Sequence, residues 1–169
     1  EGREFLADIN EYFGCTAGAI LECGGEVLRF IGDAVLAIFP VREASQLETA
    51  FSNAGRAMLC AREKMHKVNC QRAANGQAPL RYGLGLHYGE VLFGNIGSPE
   101  RLEFSVVGTA ANEAARLEEM TKTLGHTTLV SEKVAQYLNV DLIDLGAQPI
   151  RGSMSSLQVF AVDESELGE

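Results

Sequence analysis

The stretch EVLRFIGDAVLAIF (residues 26–39) decides the fold of this chain. It contains two short runs rich in β-forming residues, Glu26–Ile31 and Ala34–Phe39, separated only by Gly32 and Asp33. Such a pattern predicts a tight hairpin whose turn carries a carboxylate. Apolar strands on both sides would hold the Asp33 carboxylate at a rigid sheet edge, where a hard oxygen ligand can bind Mg²⁺ or Mn²⁺. The alternative is an ordinary surface turn, in which aspartate is also common.

Helices and a second hairpin are predicted on either side of this stretch. Before it, apolar residues recur at helical spacing from Phe5 to Ile20, and the glycines that follow Cys23 end the helix. After it, an apolar stripe predicts a helix over roughly Ser45–Cys70. Two further strands, Leu80–Tyr88 and Val91–Ile96, are expected to form a second hairpin through Gly89 and Glu90.

A strand, a glycine turn and a helix come next. The strand is predicted at Phe104–Val107, and the helix at about Ala110–Leu124. Asn112 and Arg116 stand four residues apart in this helix and therefore share a face. Alanines beside them would let another backbone approach closely, so that both side chains point into a crevice. The alternative is that both side chains face solvent.

The order of these elements predicts an α+β fold, with an antiparallel-rich sheet backed by helices. The tail adds a strand at Thr127–Val130, a helix N-capped by Ser131, and strands near Leu142–Leu145 and Leu157–Val162. A ferredoxin-like βαββαβ core fits the order if its first strand precedes residue 1. We therefore expect residues 1–169 to form a single domain that is incomplete at its N-terminus.

Composition narrows the possible partners. With 23 acidic and 14 basic residues, the chain has a net charge of −9, which argues against nucleic-acid binding. No apolar run approaches the ~18 residues of a membrane span, and no leader opens the sequence, so we expect a cytoplasmic domain with no membrane segment in this chain. Tethering to a membrane by a segment outside the chain is the alternative. The four cysteines form no C-x-x-C pair and are expected to be reduced, buried thiols. The three histidines lack zinc spacing and are expected to be ordinary, satisfied side chains.

Three motifs together resemble the class III adenylate/guanylate cyclase catalytic domain: residues 24–39, residues 83–97, and the N-x-x-x-R pair of Asn112 and Arg116. Their order and approximate spacing hold across nearly the whole chain. The resemblance implies conversion of a nucleoside triphosphate to its 3′,5′-cyclic monophosphate and pyrophosphate on a ferredoxin-like fold. It also implies sites formed between two domains, so a head-to-tail homodimer is expected.

The resemblance implies roles for particular residues. Asp33 would be one of two aspartates that hold two metal ions, Mg²⁺ or Mn²⁺. Asn112 would orient the ribose, and Arg116 would stabilise charge at the α-phosphate. Arg151 stands near the place of a family lysine that contacts the terminal phosphates, although a solvated loop arginine is the alternative.

The choice of base depends on two further positions. Arg29 and Ser105 occupy the places at which the family distinguishes adenine from guanine. Arg29 can donate a hydrogen bond to adenine N1, and no acceptor-only glutamate is present for guanine, so ATP is the expected substrate. Thr109 stands where many members have aspartate. Asp8 imitates a family metal motif but falls within the first helix, so we expect the second metal aspartate on the strand before residue 1.

Proteins of other classes share some of these sequence features. A catalytically inactive cyclase-homology module would bind nucleotide, or dimerise, to regulate an attached domain. A diguanylate cyclase is disfavoured because Val27 and Leu28 break its G-G-[DE]-E-F signature. A dinucleotide-binding fold is disfavoured because Gly83, Gly85 and Gly89 interrupt a strand instead of opening a helix. Any sensor or regulatory domain would lie outside this chain.

Overall fold

A computed structural model describes residues 2–98, 101–150 and 156–163, except for the side chains at 2–4, 96–97 and 101–105. Two compact units meet between Arg81 and Tyr82 in the sequence. The elements of the first unit are α1 (Gly2–Glu22), β1 (Glu26–Ile31), β2 (Ala34–Ile38), a 3₁₀ turn (Ala44–Gln46) and α2 (Leu47–Ala74). Those of the second are β3 (Leu84–Leu86), β4 (Leu92–Ser98), β5 (Arg101–Val107), α3 (Thr109–Leu124), β6 (Thr128–Ser131), α4 (Glu132–Ala135), β7 (Leu142–Pro149) and β8 (Ser156–Val162).

In the first unit, the two long helices pack against each other. Their apolar faces supply the core residues Cys15, Ala17, Ala19, Phe51, Ala57, Met58, Ala61 and Met65. A polar contact joins the same helices, since Arg72 donates to Asp8 at 2.7 Å and to Glu11 at 3.0 Å. The Nε atom of Arg72 also donates to the carbonyl oxygen of Ala78 at 2.8 Å. A second ion pair between the helices joins Lys64 Nζ to Glu22 Oε1 at 2.6 Å. A mainly apolar interface with these charged contacts therefore holds α1 on α2.

The predicted first hairpin is present. β1 and β2 are antiparallel, and Ile31 lies opposite Ala34, so Gly32 and Asp33 form a two-residue turn. Gly32 has φ +63°, a conformation that side chains other than glycine rarely adopt and that fits a type II′ turn. Phe30 packs against Phe13 of α1 with a ring-centroid distance of 4.5 Å. This contact fixes the hairpin on the helix and leaves its turn at the surface.

The second unit contains a four-stranded sheet and a separate ribbon. The sheet order is β3-β6-β8-β7, in which β3 and β6 are parallel and the other pairs are antiparallel. The ribbon is the antiparallel pair of β4 and β5. The core of the unit is built from Leu117, Leu129, Val159 and Ala161, packed by Met120, Leu124, Leu145 and Leu157. The predicted α+β fold with antiparallel-rich sheets and helices is therefore confirmed.

Helix α3 lies unusually close to β3. A Cβ atom added at Gly85 would stand 2.6 Å from the carbonyl oxygen of Ala114 and 2.6 Å from the backbone nitrogen of Glu118. At Gly83 it would stand 2.3 Å from the Thr121 hydroxyl. Gly85 lets the strand backbone approach the helix backbone directly, and Gly83, just before the strand, makes room for side chains of the helix. The small-residue face of α3 therefore packs against a strand of its own unit.

The prediction of a second hairpin, between Leu80–Tyr88 and Val91–Ile96, was wrong. β3 is only three residues long and pairs with β6, whereas β4 pairs with β5. The glycine that suggested a turn, Gly89, instead makes room for the helix, because a Cβ atom there would lie 2.6 Å from that of Ala110. The strand signal was correct, but the partners were decided by packing against α3.

Smaller departures concern element ends and thiols. α2 continues to Ala74, four residues beyond its predicted end. Ser131 is the N-cap residue of α4 by position, but its hydroxyl makes no capping bond. All four cysteines are free, yet Cys70 is exposed and Cys60 partly so, which corrects the prediction of four buried thiols. Within the described ranges, no helix is both long and apolar enough to cross a membrane.

Candidate nucleotide site

The first predicted site residue, Asp33, lies in the β1–β2 turn and is exposed. Its carboxylate makes no hydrogen bond or ion pair with any residue that the structure describes. The neighbouring strands pair on both sides of the turn, from Glu26 opposite Ile38 to Ile31 opposite Ala34. The hairpin thus presents an unpaired carboxylate from a backbone that is already ordered.

The single carboxylate of Asp33 fits a metal ion that is also bound by phosphate oxygens of a ligand. Among the described residues, no group of three or more histidine, cysteine, aspartate or glutamate side chains could hold an ion by itself. Mg²⁺ is commonly bound through one or two carboxylates together with substrate phosphates, and it keeps several waters. Asp33 therefore suits a metal shared with a triphosphate better than a closed protein cage.

Arg29 lies on the same hairpin. The register of the hairpin shifts between Val27 and Arg29, which places a bulge at Leu28 and sets Arg29 opposite Leu36. Because side chains alternate along a strand, Arg29 projects from the face opposite to Phe30, away from α1. Its guanidinium is exposed on this outer face of the hairpin.

The other pair of predicted residues comes together on α3, as expected. Thr109 opens this helix, Asn112 is exposed in its first turns, and Arg116 follows one turn later and is half-buried. Arg116 Nη1 lies 2.5 Å from Oε2 of Glu119, three residues further along the helix. The chain thus places an amide and a guanidinium on one helix face, with the guanidinium held by a surface carboxylate.

A pair of side chains beside Asn112 was not predicted from the sequence. His87 Nε2 lies 2.8 Å from Oε2 of Glu113, and both side chains are largely buried. Within the described part of the chain, the buried Nδ1 atom of His87 has no hydrogen-bond partner. This finding corrects the expectation that every histidine is fully satisfied. The two residues are 26 positions apart, so no local pattern could have linked them.

Three other predicted positions have different outcomes. Ser105 lies opposite Gly94 in the β4–β5 ribbon, but its side chain is outside the description. Arg151 lies outside the described residues altogether. Asp8 lies within α1, as predicted, and its carboxylate is paired with Arg72. Asp33 belongs to the first unit and Asn112 to the second, so their meeting across a dimer stays a prediction.

Comparison with known proteins identifies the family. Residues 2–163 match the family model of the adenylate and guanylate cyclase catalytic domain. The chain belongs to this family. Adenylate cyclase 1 of Rhizobium meliloti is 30% identical over 169 residues, covering 96% of this chain and 25% of that protein. Adenylate cyclase of Anabaena cylindrica is 28% identical, with 96% and 33% coverage.

Solved structures agree with the family assignment. A bacterial light-regulated adenylyl cyclase is similar with a TM-score of 0.77 and 26% identity, covering 96% of this chain and 46% of that one. The guanylyl cyclase Cya2 has a TM-score of 0.73 and 27% identity, with 98% and 84% coverage. This cyclase domain spans only a quarter to a third of the curated relatives above. Members of the family generally use divalent metal ions. That Asp33 holds one of them stays a prediction.

Proposed function

We propose that this cyclase domain converts ATP to 3′,5′-cyclic AMP and pyrophosphate at sites shared by a head-to-tail homodimer. The observation that carries the proposal is the family match over residues 2–163. It is supported by relatives named adenylate cyclase and by the surface position of Asp33 and Asn112. In this proposal Asp33 of one subunit faces Asn112 and Arg116 of the other.

The reaction needs positioning and charge stabilisation from these residues. The ribose 3′-oxygen attacks the α-phosphorus, its proton passes to solvent, and the bond to the β-phosphate breaks to release pyrophosphate. Asn112 holds the ribose so that the 3′-oxygen is in line with the leaving group. Arg116 stabilises the negative charge that develops at the α-phosphate.

Asp33 is the carboxylate of this chain that would hold Mg²⁺ or Mn²⁺. Two ions, when bound, would lower the pKa of the 3′-hydroxyl and neutralise charge on the leaving phosphates. A second carboxylate is expected from a strand before residue 1. Arg151 would contact the terminal phosphates, where its guanidinium can bind two phosphate oxygens at once.

Arg29 and Ser105 would select the base. The guanidinium of Arg29 carries only donors, which suits the N1 acceptor of adenine and opposes the N1–H of guanine. Ser105 would add a small hydroxyl beside the base. Because a guanylyl cyclase of known structure is 27% identical to this chain, GTP is the competing substrate in the assay below.

Product formation tests the proposal directly. Protein extended at its N-terminus to include the expected strand is incubated with Mn²⁺ and either ATP or GTP, and cyclic nucleotide and pyrophosphate are measured. We expect cyclic AMP from ATP and little product from GTP. Absence of both products at high protein concentration would favour an inactive module that binds nucleotide or regulates a neighbouring domain.

Variants test the residues. Asp33→Asn should abolish turnover without changing the thermal midpoint, because the side chain is exposed, whereas Glu26→Gln on the same hairpin should be neutral. Arg116→Ala should lower kcat by about 100-fold to 1,000-fold.

Mixing the Asp33→Asn and Arg116→Ala proteins tests whether the sites are shared. The mixture should regain about a quarter of wild-type activity, because half of the random dimers are mixed and each mixed dimer contains one intact site of two. A mixture as inactive as its parents would rule out shared sites.

A further inference from the structure

The contact between His87 and Glu113 joins the end of β3 to the first turns of α3. The His87 side chain is only 10% exposed and that of Glu113 27% exposed. Burial lowers the pKa of His87, and Glu113 raises it by less, so the imidazole is neutral at neutral pH. Because an ionised carboxylate can only accept, Nε2 must carry the imidazole proton and donate it to Glu113.

Close packing holds this imidazole in place. A Cβ atom at Gly89 would lie 3.3 Å from His87 Nε2 and 2.6 Å from the Cβ atom of Ala110. Ala110 is itself buried in the first turn of α3. The His87 ring is therefore confined between the strand end and the helix, and its hydrogen bond to Glu113 is part of the packed structure.

The partner chosen by Arg116 is unexpected for an isolated helix. Glu113 and Glu119 both stand three residues from Arg116, one on each side. An acidic residue N-terminal to a basic one is the more favourable order on a helix, so Glu113 should be the preferred partner. Arg116 nevertheless pairs with Glu119, in the less favourable order. The Glu113 carboxylate instead accepts from His87.

We propose that His87 is a positioning residue that sequesters Glu113 and thereby keeps Arg116 available for a substrate phosphate. The inference rests on the proposed function. Arg116 and Glu119 are 36% and 57% exposed, and an ion pair in such a setting is weak and readily exchanged for a phosphate. Glu113 is less exposed, so its pairing with Arg116 would be less screened by water and would compete more strongly with substrate.

Activity measurements separate this role from a purely structural one. His87→Leu frees Glu113 to pair with Arg116, so that Arg116 is less available to the substrate phosphate. We therefore expect kcat/KM for ATP to fall by about 10-fold. His87→Leu combined with Glu113→Gln should restore activity to within about 3-fold of wild type, because no carboxylate remains to capture Arg116. A structural clamp is broken in both proteins, so equal losses would overturn the inference. His126→Leu, in the same unit, is the neutral control.

Two additional variants protect the test against misfolding. His87→Phe keeps a ring without a donor. If His87→Leu unfolds, His87→Phe takes its place and should show the same loss of activity. His87→Gln supplies a side-chain N–H group to Glu113 and should retain most of the activity. Thermal midpoints of all variants show whether each activity is measured on folded protein.

A readout that needs no catalysis separates failure of this inference from failure of the proposed function. The Nε–H resonance of Arg116 is followed by ¹⁵N NMR and assigned with Arg116→Lys. In wild type, Glu119→Gln should shift the resonance. In the His87→Leu background, Glu113→Gln should shift it instead. If Glu119 remains the partner of Arg116 in the His87→Leu background, the inference is wrong, even if the protein makes cyclic AMP. If Glu113 becomes the partner but no cyclic nucleotide forms, only the proposed function fails.

Discussion

The two units attach their longest helices by different means. In the first, α1 meets α2 through an apolar face and the charge cluster in which Arg72 donates to Asp8 and Glu11. In the second, α3 meets β3 where glycine lets two backbones come within van der Waals contact, as at Gly85. The first contact therefore depends on side chains, both apolar and charged. The second depends on the absence of any side chain, so it should tolerate loss of charge but not added volume.

The largest loss of stability is expected when the charge cluster of the first unit is removed. Arg72→Met leaves the carboxylates of Asp8 and Glu11 without their cation, and the arginine side chain is only 10% exposed. Asp8 and Glu11 are each 39% exposed and keep part of their hydration, so the loss comes mainly from three hydrogen bonds of the arginine side chain. We expect the thermal midpoint to fall by about 4–8 °C in a calorimetric scan. The control is Lys67→Met on the same helix, where the ion pair with Glu63 is exposed and the shift should stay within about 1 °C. Equal shifts would remove the distinction between the two ion pairs.

The next largest loss of stability is expected when one carbon atom is added where β3 contacts α3. Gly85→Ala would place a Cβ atom 2.6 Å from backbone atoms of α3, so the helix must move. We expect a loss of about 1–3 kcal/mol in the free energy of unfolding, measured by urea denaturation. Gly94→Ala in β4 is the matched control, because no atom that the structure describes lies within 4 Å of the added carbon. If both variants lose the same stability, close approach does not hold α3 on β3.

A smaller and opposite effect is expected for a glycine that no packing requires. Gly14 is exposed within α1, and an added Cβ atom would meet no atom of the described residues within 4 Å. Gly14→Ala should therefore stabilise the protein by about 0.5–1 kcal/mol, because alanine loses less conformational freedom in a helix. Urea denaturation again supplies the measurement. A loss of stability would mean that the surface of α1 is covered in the assembled protein.

The smallest expected effect is a loss of stability at acidic pH that depends on His87. Because burial lowers the pKa of His87, the unfolded chain binds a proton more readily than the folded one. The stabilising contribution of the neutral histidine is complete above about pH 6.5, the ordinary value, and declines as the pH falls toward the lower folded value. Between pH 7.5 and 5.5, wild type should lose more stability than His87→Gln. Parallel losses would show that His87 does not titrate with folding.

Local patterns predicted most elements because their causes are local. The hairpin at residues 26–39 depends on strand-forming residues around Gly32, and α1 depends on helical spacing ended by glycine. The same reasoning failed for β3, where Gly89 was interpreted as part of a turn. A glycine that permits a turn and a glycine that permits close packing are identical in a sequence. Only the position of α3 distinguishes them.

The candidate site divides in the same way. The presence of Asp33 in a tight turn, and of Asn112 and Arg116 on one helix face, follows from residue type and spacing. The partner of Arg116 does not, because two carboxylates at equal spacing compete for it.

The sequence by itself determined the family, the order of helices and strands, and which polar residues share a surface, since each depends on neighbours a few residues apart. The tertiary structure alone decided that β4 pairs with β5, that α3 rests on Gly85 of β3, and that His87 donates a hydrogen bond to Glu113. These contacts join residues far apart in the chain, and their free energy depends on burial and exact distance, which no local pattern encodes.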